Sequence, residues 1–196
     1  MTEQARPSKI LDVHFKSDGT DGVSLMMQAF RRAFAMAGID YRTASADSRS
    51  EAGDLQVTGL SYQTAEAAGQ RKIIFDGGDA EPEANQAHVE AMLQAELIKN
   101  KQPILNELKR YILENGITHV IVRNIFSLPL HLAATLALYD LILDEEMEKA
   151  GVKFVLIHHD FYWEPSRSAG YQTKFQFVGQ LLASHFPPVT HNPGIV

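Results

Sequence analysis

Two adjacent histidines and an aspartate, His158, His159 and Asp160, are the side chains of this sequence best suited to chemistry. They directly follow residues 153–157, an apolar run that predicts a buried strand. Because side chains alternate between the two faces of a strand, one imidazole is expected to point into a layer of helices and its neighbour to reach an open cleft. An imidazole in a cleft can donate hydrogen bonds, carry protons or bind a metal. For His158 the alternative is a structural histidine, and the catalytic candidate His159 rests on the family resemblance given below.

A metal site is not expected at these histidines. Metal binding needs about three convergent ligands, and neighbours that point to opposite faces supply one each. The sequence has no cysteine and no H-E-x-x-H helix motif that would complete a set. A serine hydrolase has no support either, because no G-x-S-x-G elbow is present. A small hydrolase built on His158, His159 and Asp160 is kept as an alternative.

An aromatic and charged loop, residues 161–167, follows the same strand and contains Trp163 and Glu164. Trp163 is the single tryptophan of the chain. An indole ring at a binding edge is suited to stacking on a flat or sugar-like ligand. The competing interpretation is a loop that packs on the core of its own domain.

Arg123 and Asn124 interrupt a second apolar run, residues 119–126. A charge and an amide are costly to bury unless they are paired. Two interpretations stay open. Either both groups hydrogen-bond a ligand at the end of a strand, or Asn124 holds the loop while Arg123 pairs with a carboxylate.

Gly19 and Gly22 lie in a polar loop, residues 16–24, between a predicted strand and a predicted helix. In such a loop the backbone N–H groups and the positive helix end can approach a phosphate. The spacing is neither the G-x-G-x-x-G fingerprint nor a P-loop, so dinucleotide binding is not expected. The glycines are alternatively explained as residues of a tight turn.

The elements that position these loops predict an α/β fold. Strands are predicted at residues 10–15, 41–46, 55–60, 71–76, 119–126 and 153–157, and helices at 25–37, 83–115, 128–150 and 173–185, with a break or kink near Pro103. This order is typical of a Rossmann-like, three-layer α/β/α fold with a mainly parallel sheet. In such sheets ligands bind at the carboxyl ends of the strands, where the three loops are expected to meet.

Composition limits the remaining choices. The 196 residues, 45% of them hydrophobic, suit a single domain, and the formal charge of -6 argues against a nucleic-acid partner. No apolar run approaches the length of a membrane span, so membrane contact would be peripheral. A polar N-terminus and the lack of cysteine favour a cytoplasmic protein. A second alternative is a stand-alone binding module that has the same fold and uses the same three loops for a phosphorylated small molecule.

Three segments in their order along the chain resemble the N-terminal domain of family 4 retaining glycosyltransferases, which have the GT-B fold. They are Asp21-Gly-Val-Ser24, then Val122-Arg-Asn-Ile125 with Ser127-Leu-Pro129, and Ile157-His-His-Asp-Phe-Tyr-Trp-Glu164. The resemblance extends from about residue 10 to about residue 188. It implies one of two Rossmann-like domains that face each other across a cleft, with the acceptor held mostly by this domain and a nucleotide-sugar donor by the other.

By position, the resemblance places Gly19 and Gly22 beside the donor diphosphate, His159 with Asp160 against the transferred sugar, and Asn124 at the cleft. The family's donor-binding domain, with its cation pair and its two carboxylates, has no counterpart in these 196 residues. We therefore expect a truncated, acceptor-side domain that needs no cofactor and is inactive alone. An uncovered strand edge in such a domain favours a homodimer.

Overall fold

A five-stranded, wholly parallel sheet forms the centre of the computed structural model, which describes residues 7–48, 53–75, 83–164 and 166–186. The strands are β1 (Lys9–Val13), β2 (Asp40–Ser45), β3 (Leu55–Gln56), β4 (His119–Arg123) and β5 (Lys153–Ile157). Their order across the sheet is β3-β2-β1-β4-β5. This arrangement confirms the predicted Rossmann-like α/β fold.

Six α-helices and two short 3₁₀ helices surround this sheet in the described residues. The α-helices are α1 (Gly22–Met36), α2 (Ala65–Phe75), α3 (Glu83–Asn115), α4 (Leu132–Ile142), α5 (Glu145–Ala150) and α6 (Gln176–His185), and the 3₁₀ helices are Thr58–Leu60 and Ser168–Tyr171. Successive side chains of β1 and β4 point to opposite faces of the sheet. Leu11 and Val122 join the large core cluster with α3 and α4, whereas Ile10 and Ile121 pack with Phe34 of α1.

Asp21 fixes the start of α1. Its carboxylate accepts hydrogen bonds from the backbone N–H groups of Val23 and Ser24, which would otherwise lack a partner at the helix start. The helix ends before Gly38, whose φ of 69° lies in the left-handed region that favours glycine.

Helix α3 runs uninterrupted from Glu83 to Asn115, so the break considered near Pro103 does not occur. The helix contributes to two separate core clusters. Ile104, on the C-terminal side of Pro103, packs in the main core above the sheet, while Leu97 on the N-terminal side packs in a second cluster with α4 and α6. Pro103 therefore lies at the boundary between the two cores.

Two predicted elements are wrong and two are shorter than predicted. Residues 71–75 belong to helix α2 rather than a strand, because Ile74 and Phe75 pack one turn of a helix into the second core cluster. Residue 76 lies outside the described residues. The predicted helix 128–150 is two helices, since Asp144 caps a new helix with its carboxylate. The predicted strands 55–60 and 119–126 end at Gln56 and Arg123.

Strand β5 lies at the edge of the described sheet and is not buried on both faces as predicted. Val155 and Leu156 are each 45% exposed, although β5 pairs along its whole length with β4. Among the described residues, no helix is long and apolar enough to cross a membrane.

Candidate functional site

The loops that follow β1, β4 and β5 open at one edge of the sheet. These three strands are neighbours and run parallel, so their carboxyl ends point the same way. Direct contacts tie the loops together, as described below. The expected placement of the glycine loop, Asn124 and His159 at a common edge is therefore what the structure shows.

A fully buried ion pair joins β1 to β4 beneath this edge. Asp12 and Arg123 are both fully buried, and the guanidinium donates three hydrogen bonds of 2.7–2.9 Å to the carboxylate. The hydroxyl of Tyr41, on β2, donates a further bond of 2.6 Å to Asp12. Of the two interpretations of Arg123, the geometry matches the one in which the guanidinium pairs with a carboxylate.

Burial and hydrogen bonding act in opposite directions on the buried carboxylate of this cluster. Burial raises the pKa of Asp12, while the bonds and the charge of Arg123 oppose that rise. Burial, with the negative charge of Asp12 beside it, also raises the pKa of Tyr41 and keeps its hydroxyl a donor. The guanidinium lies 4.5 Å from the centroid of the Phe30 ring, which stacks on the cation. Nη1 of Arg123 is buried and has no hydrogen-bond partner among the described residues.

Asn124 is the clamp between β4 and β5. It is the only non-glycine residue with positive φ in the described parts of the chain, at 54°, a conformation that asparagine tolerates better than most residues. Its N–H donates to the carbonyl of Ile157, and its side-chain Oδ1 accepts from the backbone N–H of His159 at 2.7 Å. The clamp sets the position of the exposed His159, while the amide itself is buried.

His14 adds a second, unpredicted link at the end of β1. Its Nδ1 lies 2.9 Å from the carbonyl oxygen of Arg123, and burial lowers its pKa to about 4. The ring is therefore neutral at pH 7, and Nδ1–H donates to that carbonyl. His14 is structural in this geometry, since it ties the β1 loop to the β4 loop.

The glycine loop is closed by its own aspartate. Burial alone would raise the pKa of Asp21, but hydrogen bonds from Ser24 and Lys16 outweigh it and lower the pKa to about 2. A Cβ on Gly19 would lie 2.6 Å from the Asp21 carboxylate, so this glycine is required by the turn. Nothing lies within 4 Å of a Cβ on Gly22, which is exposed at the first helical position. The carboxylate of Asp21 occupies the amides that a phosphate would use.

The aromatic loop after β5 is tied to the β4 loop and to itself. The N–H of Tyr162 donates to the carbonyl of Ser127, and Trp163 contacts the rings of Phe161 and Tyr162. Trp163 is only half-buried, so part of its indole faces solvent.

Charged side chains of the same loop pair with one another. Arg167 forms ion pairs with both Asp160, at 2.7 Å, and Glu164, at 3.4 Å. His158 is half-buried against Phe161, and burial lowers its pKa. No group of three or more metal-ligating side chains occurs in the part of the chain that the structure describes.

A polar cavity of about 290 Å³ opens beside the glycine loop, between β2 and α1. Its lining includes Ser17, Asp18, Arg31 and Arg32. Arg31 is held by Asp54 at 2.6 Å, whereas Arg32 is exposed and forms no ion pair with the residues that the structure describes. This cavity adds a free guanidinium to the edge, which sequence patterns did not indicate.

Sequence reasoning missed three groups at this edge. Asp12 lies inside the apolar strand β1 and Tyr41 inside the more polar strand β2, neither within a motif, and His14 directly follows β1. The available signal was an aspartate in the middle of the apolar strand β1, since a buried carboxylate must find a cation. Arg123 was the matching signal, because a cation inside the predicted apolar strand 119–126 needs a carboxylate partner in the same way.

Comparison with known proteins gives two curated relatives. The chain is 27% identical over 181 residues to mannosylglucosylglycerate synthase of Petrotoga mobilis, aligned over 91% of this chain and 38% of the relative. It is 28% identical, again over 181 residues, to mannosylglucosylglycerate synthase of Thermotoga maritima, aligned over 92% of this chain and 37% of the relative.

The chain is similar to glycosyltransferases. Both relatives are synthases of a glycoside, and the similarity covers nearly all of this chain. The chain spans less than two fifths of the length of either relative. No protein-family model matches the sequence, and no solved structure matches it.

Proposed function

We propose that this chain is the acceptor-side, N-terminal half of a retaining glycosyltransferase of GT-B architecture that uses a nucleotide sugar as donor. The observation that carries the proposal is the clamp of Asn124, which holds the exposed His159 at the same carboxyl edge of the parallel sheet as the glycine loop. The similarity to two glycoside synthases over nine tenths of the chain supports it.

The proposal gives six of the eight predicted site residues a role. His159, with Asp160 beside it, contacts the transferred sugar, and Asn124 holds it in place. Gly22 is assigned to the donor diphosphate, which approaches past its bare Cα because nothing lies within 4 Å of that position. The N–H groups of Val23 and Ser24 are held by Asp21, so they are not part of this contact. Trp163 and Glu164 form the wall of the cleft on the β5 side, where a half-exposed indole suits a sugar face.

The acceptor fits the polar cavity beside the glycine loop. Removing the mannosyl group that the relatives' name contains leaves glucosylglycerate, which carries a carboxylate. A guanidinium binds a carboxylate by paired, charge-assisted hydrogen bonds. Arg32 is the free guanidinium of this cavity, so we assign the acceptor carboxylate to it.

By itself the chain is expected to transfer no sugar. Departure of a nucleoside diphosphate requires preorganised positive groups at the developing charge. Three cations at this edge, Lys16, Arg123 and Arg167, are each ion-paired with an aspartate. They are therefore not available to a leaving diphosphate.

Calorimetric titration of the chain with glucosylglycerate and with glucosylglycerol, which lacks the carboxylate, tests the acceptor site. Arg32→Gln is expected to weaken binding of glucosylglycerate about tenfold, the effect of one charge-assisted bond, and to leave glucosylglycerol unchanged. Arg110→Gln is the matched control, because Arg110 is an exposed arginine on α3. Equal loss for both ligands, or no binding of either, contradicts the proposed acceptor site.

An assay with GDP-mannose and UDP-glucose as donors tests the inactivity. No product is expected from the purified chain with either donor. Sugar transfer by this chain with no second protein present would contradict the proposal that it is half of an enzyme.

The two alternatives predict other results. A binding module for phosphorylated small molecules would bind glucose 1-phosphate more tightly than glucosylglycerate. A hydrolase built on His158, His159 and Asp160 would cleave an ester substrate and lose activity in His159→Ala. The ion pair of Asp160 with Arg167 rather than a histidine weighs against that reading.

A further inference from the structure

A second cavity, of about 220 Å³, lies between α2, α3 and the loop that precedes α4. It shares no lining residue with the glycine loop, with Asn124 or with the aromatic loop. Its walls combine apolar side chains, such as Ile104 and Pro103, with amide, hydroxyl and imidazole groups. The cavity is thus independent of the proposed transferase site and goes beyond that function.

Two buried polar side chains reach this cavity with an atom unpaired. Gln70 is 6% exposed and His131 is 8% exposed. Nε2 of Gln70 and Nδ1 of His131 are buried without a hydrogen-bond partner among the described residues. A buried donor or acceptor without a partner is costly, so native proteins pair such groups with water or a ligand.

The two unpaired atoms are chemically complementary. A neutral imidazole carries hydrogen on one ring nitrogen and accepts at the other. We place the hydrogen of His131 on Nε2, towards the backbone of Gly59, which leaves the unpaired Nδ1 as the acceptor. Burial lowers the pKa of His131 to about 4, so the ring is neutral and Nδ1 is an acceptor. Nε2 of Gln70 is a donor. A ligand that carries hydroxyl groups offers both an acceptor and a donor, which are the two kinds of partner that these atoms lack.

The charge of the lining and the size of the cavity limit the class of ligand that fits. Glu66 and Glu107 line the cavity and no lysine or arginine does, so an anion is disfavoured. A cation would donate to His131 but leave the Gln70 amide without an acceptor. The volume is below the roughly 300–1,000 Å³ of pockets for drug-sized ligands and holds about seven water volumes. A polyol or a single sugar ring has that size.

We propose that this cavity binds a small uncharged polyol, whose hydroxyl groups accept a hydrogen bond from Gln70 Nε2 and donate one to His131 Nδ1. The apolar walls contact the C–H groups of the polyol. The bond from Asn100 to Glu66, at 2.8 Å, joins α3 to α2 beside the polyol.

Nuclear magnetic resonance of the full ¹⁵N-labelled chain tests the proposal, with xylitol as the probe. The imidazole Nδ1 of His131 and the side-chain amide of Gln70 are expected to shift in a saturable way. Trimethylamine N-oxide at equal concentration, which accepts hydrogen bonds but donates none, and inorganic phosphate are expected to give no saturable shift. Saturation by either of these two instead of xylitol overturns the proposal.

Gln70→Met keeps the length and helical preference of the side chain and removes the donor. We expect it to weaken xylitol binding at least tenfold, which corresponds to the loss of one hydrogen bond. Gln180→Met, at an exposed position on α6, is the matched control and is expected to bind as the unsubstituted chain does. Unchanged xylitol affinity in Gln70→Met overturns the proposal.

The titration of the unsubstituted chain decides the question even if Gln70→Met does not fold. A linear response of His131 to xylitol, equal to its response to trimethylamine N-oxide, means that the cavity binds ordered water only. That result also overturns the proposal. It leaves the acceptor titration at Arg32 unaffected, so the two proposals fail separately.

Discussion

Strands β4 and β5 have the same apolar character and lie side by side, yet only β4 is buried. Val120 and Val122 of β4 are 0% exposed, whereas Val155 and Leu156 of β5 are each 45% exposed. The two strands pair in parallel along five residues. The difference follows from position: β1 covers the second edge of β4, and no described strand covers the second edge of β5.

The ion pairs at the ends of the two strands also differ in their exposure to solvent. Arg123 ends β4 inside a fully buried ion pair, and Arg167 follows β5 in pairs whose side chains are 35–40% exposed. Apolar composition therefore predicts that a segment is a strand, but its neighbours decide what the strand contributes. The β1–β4 pair holds the fold together, and β5 with its loop offers surface.

The largest expected effect comes from removing the cation on β4. Arg123→Met leaves the Asp12 carboxylate buried without its cation and is expected to lower the free energy of unfolding by about 3–5 kcal/mol. Arg167→Met, in the loop after β5, is expected to lower it by about 0–1 kcal/mol. Urea denaturation at pH 7 measures both. If the two substitutions lowered the free energy of unfolding by amounts within about 1 kcal/mol of each other, the ion pairs of β4 and of the loop after β5 would contribute equally, contrary to this prediction.

An intermediate effect on the free energy of unfolding is expected when the pH is lowered, because His14, which links the ends of β1 and β4, then takes up a proton. The pKa of His14 is about 4 in the folded chain, below the 6.5 of an exposed histidine, so the unfolded chain binds more protons between these values. Its stabilising contribution is complete above pH 6.5 and is lost as the pH falls towards 4, by up to about 3 kcal/mol.

His14→Gln is expected to flatten the fall in unfolding free energy between pH 6.5 and 4. His158→Gln, after β5, is expected to flatten it less, because His158 is only half-buried. His88→Gln, at an exposed position on α3, serves as the control. Equal slopes in urea titrations of His14→Gln and the unsubstituted chain would show that His14 titrates normally.

The smallest effect on stability is expected at the exposed side chains of β5. Val155→Lys with Leu156→Lys is expected to change the free energy of unfolding by only about 0.5 kcal/mol per substitution. We expect the same pair to separate a homodimer that forms through the β5 edge, since uncovered edges and apolar surface recruit a second chain.

Light scattering over a dilution series in physiological salt measures that association. The unsubstituted chain is expected to give twice the mass of one 21.8 kDa chain, and the lysine pair to give the single mass. Met36→Lys, at a position 91% exposed on α1, adds charge away from the edge and is expected to remain dimeric. A mass of 21.8 kDa for the unsubstituted chain at high concentration would reject the dimer.

Periodicity and turn residues predicted most of the fold. Residues 153–157 form a strand with the predicted bounds, and residues 83–115 form a helix with the predicted bounds. Helix α1 begins after the cap Asp21 and ends before Gly38, and each of these two residues has a local backbone function. Local chemistry was enough wherever one segment determined its own structure.

Properties that depend on distant segments were not predictable. The apolar run at residues 73–75 fits a short strand or a helical turn equally well, and the second core cluster made it a helix. The burial of β5 depended on which strands flank it. The cavity at Gln70 and His131 joins residues 61 positions apart that belong to no motif.

Pro103 gives the molecule a natural line of separation. Proline has no N–H for the helical hydrogen bond, so α3 is weakest between the turn that carries Leu97 and the turn that carries Ile104. Those turns belong to different cores. Local opening of the second core can therefore occur while the sheet remains folded, so that the chain behaves as two cooperative units joined by one helix.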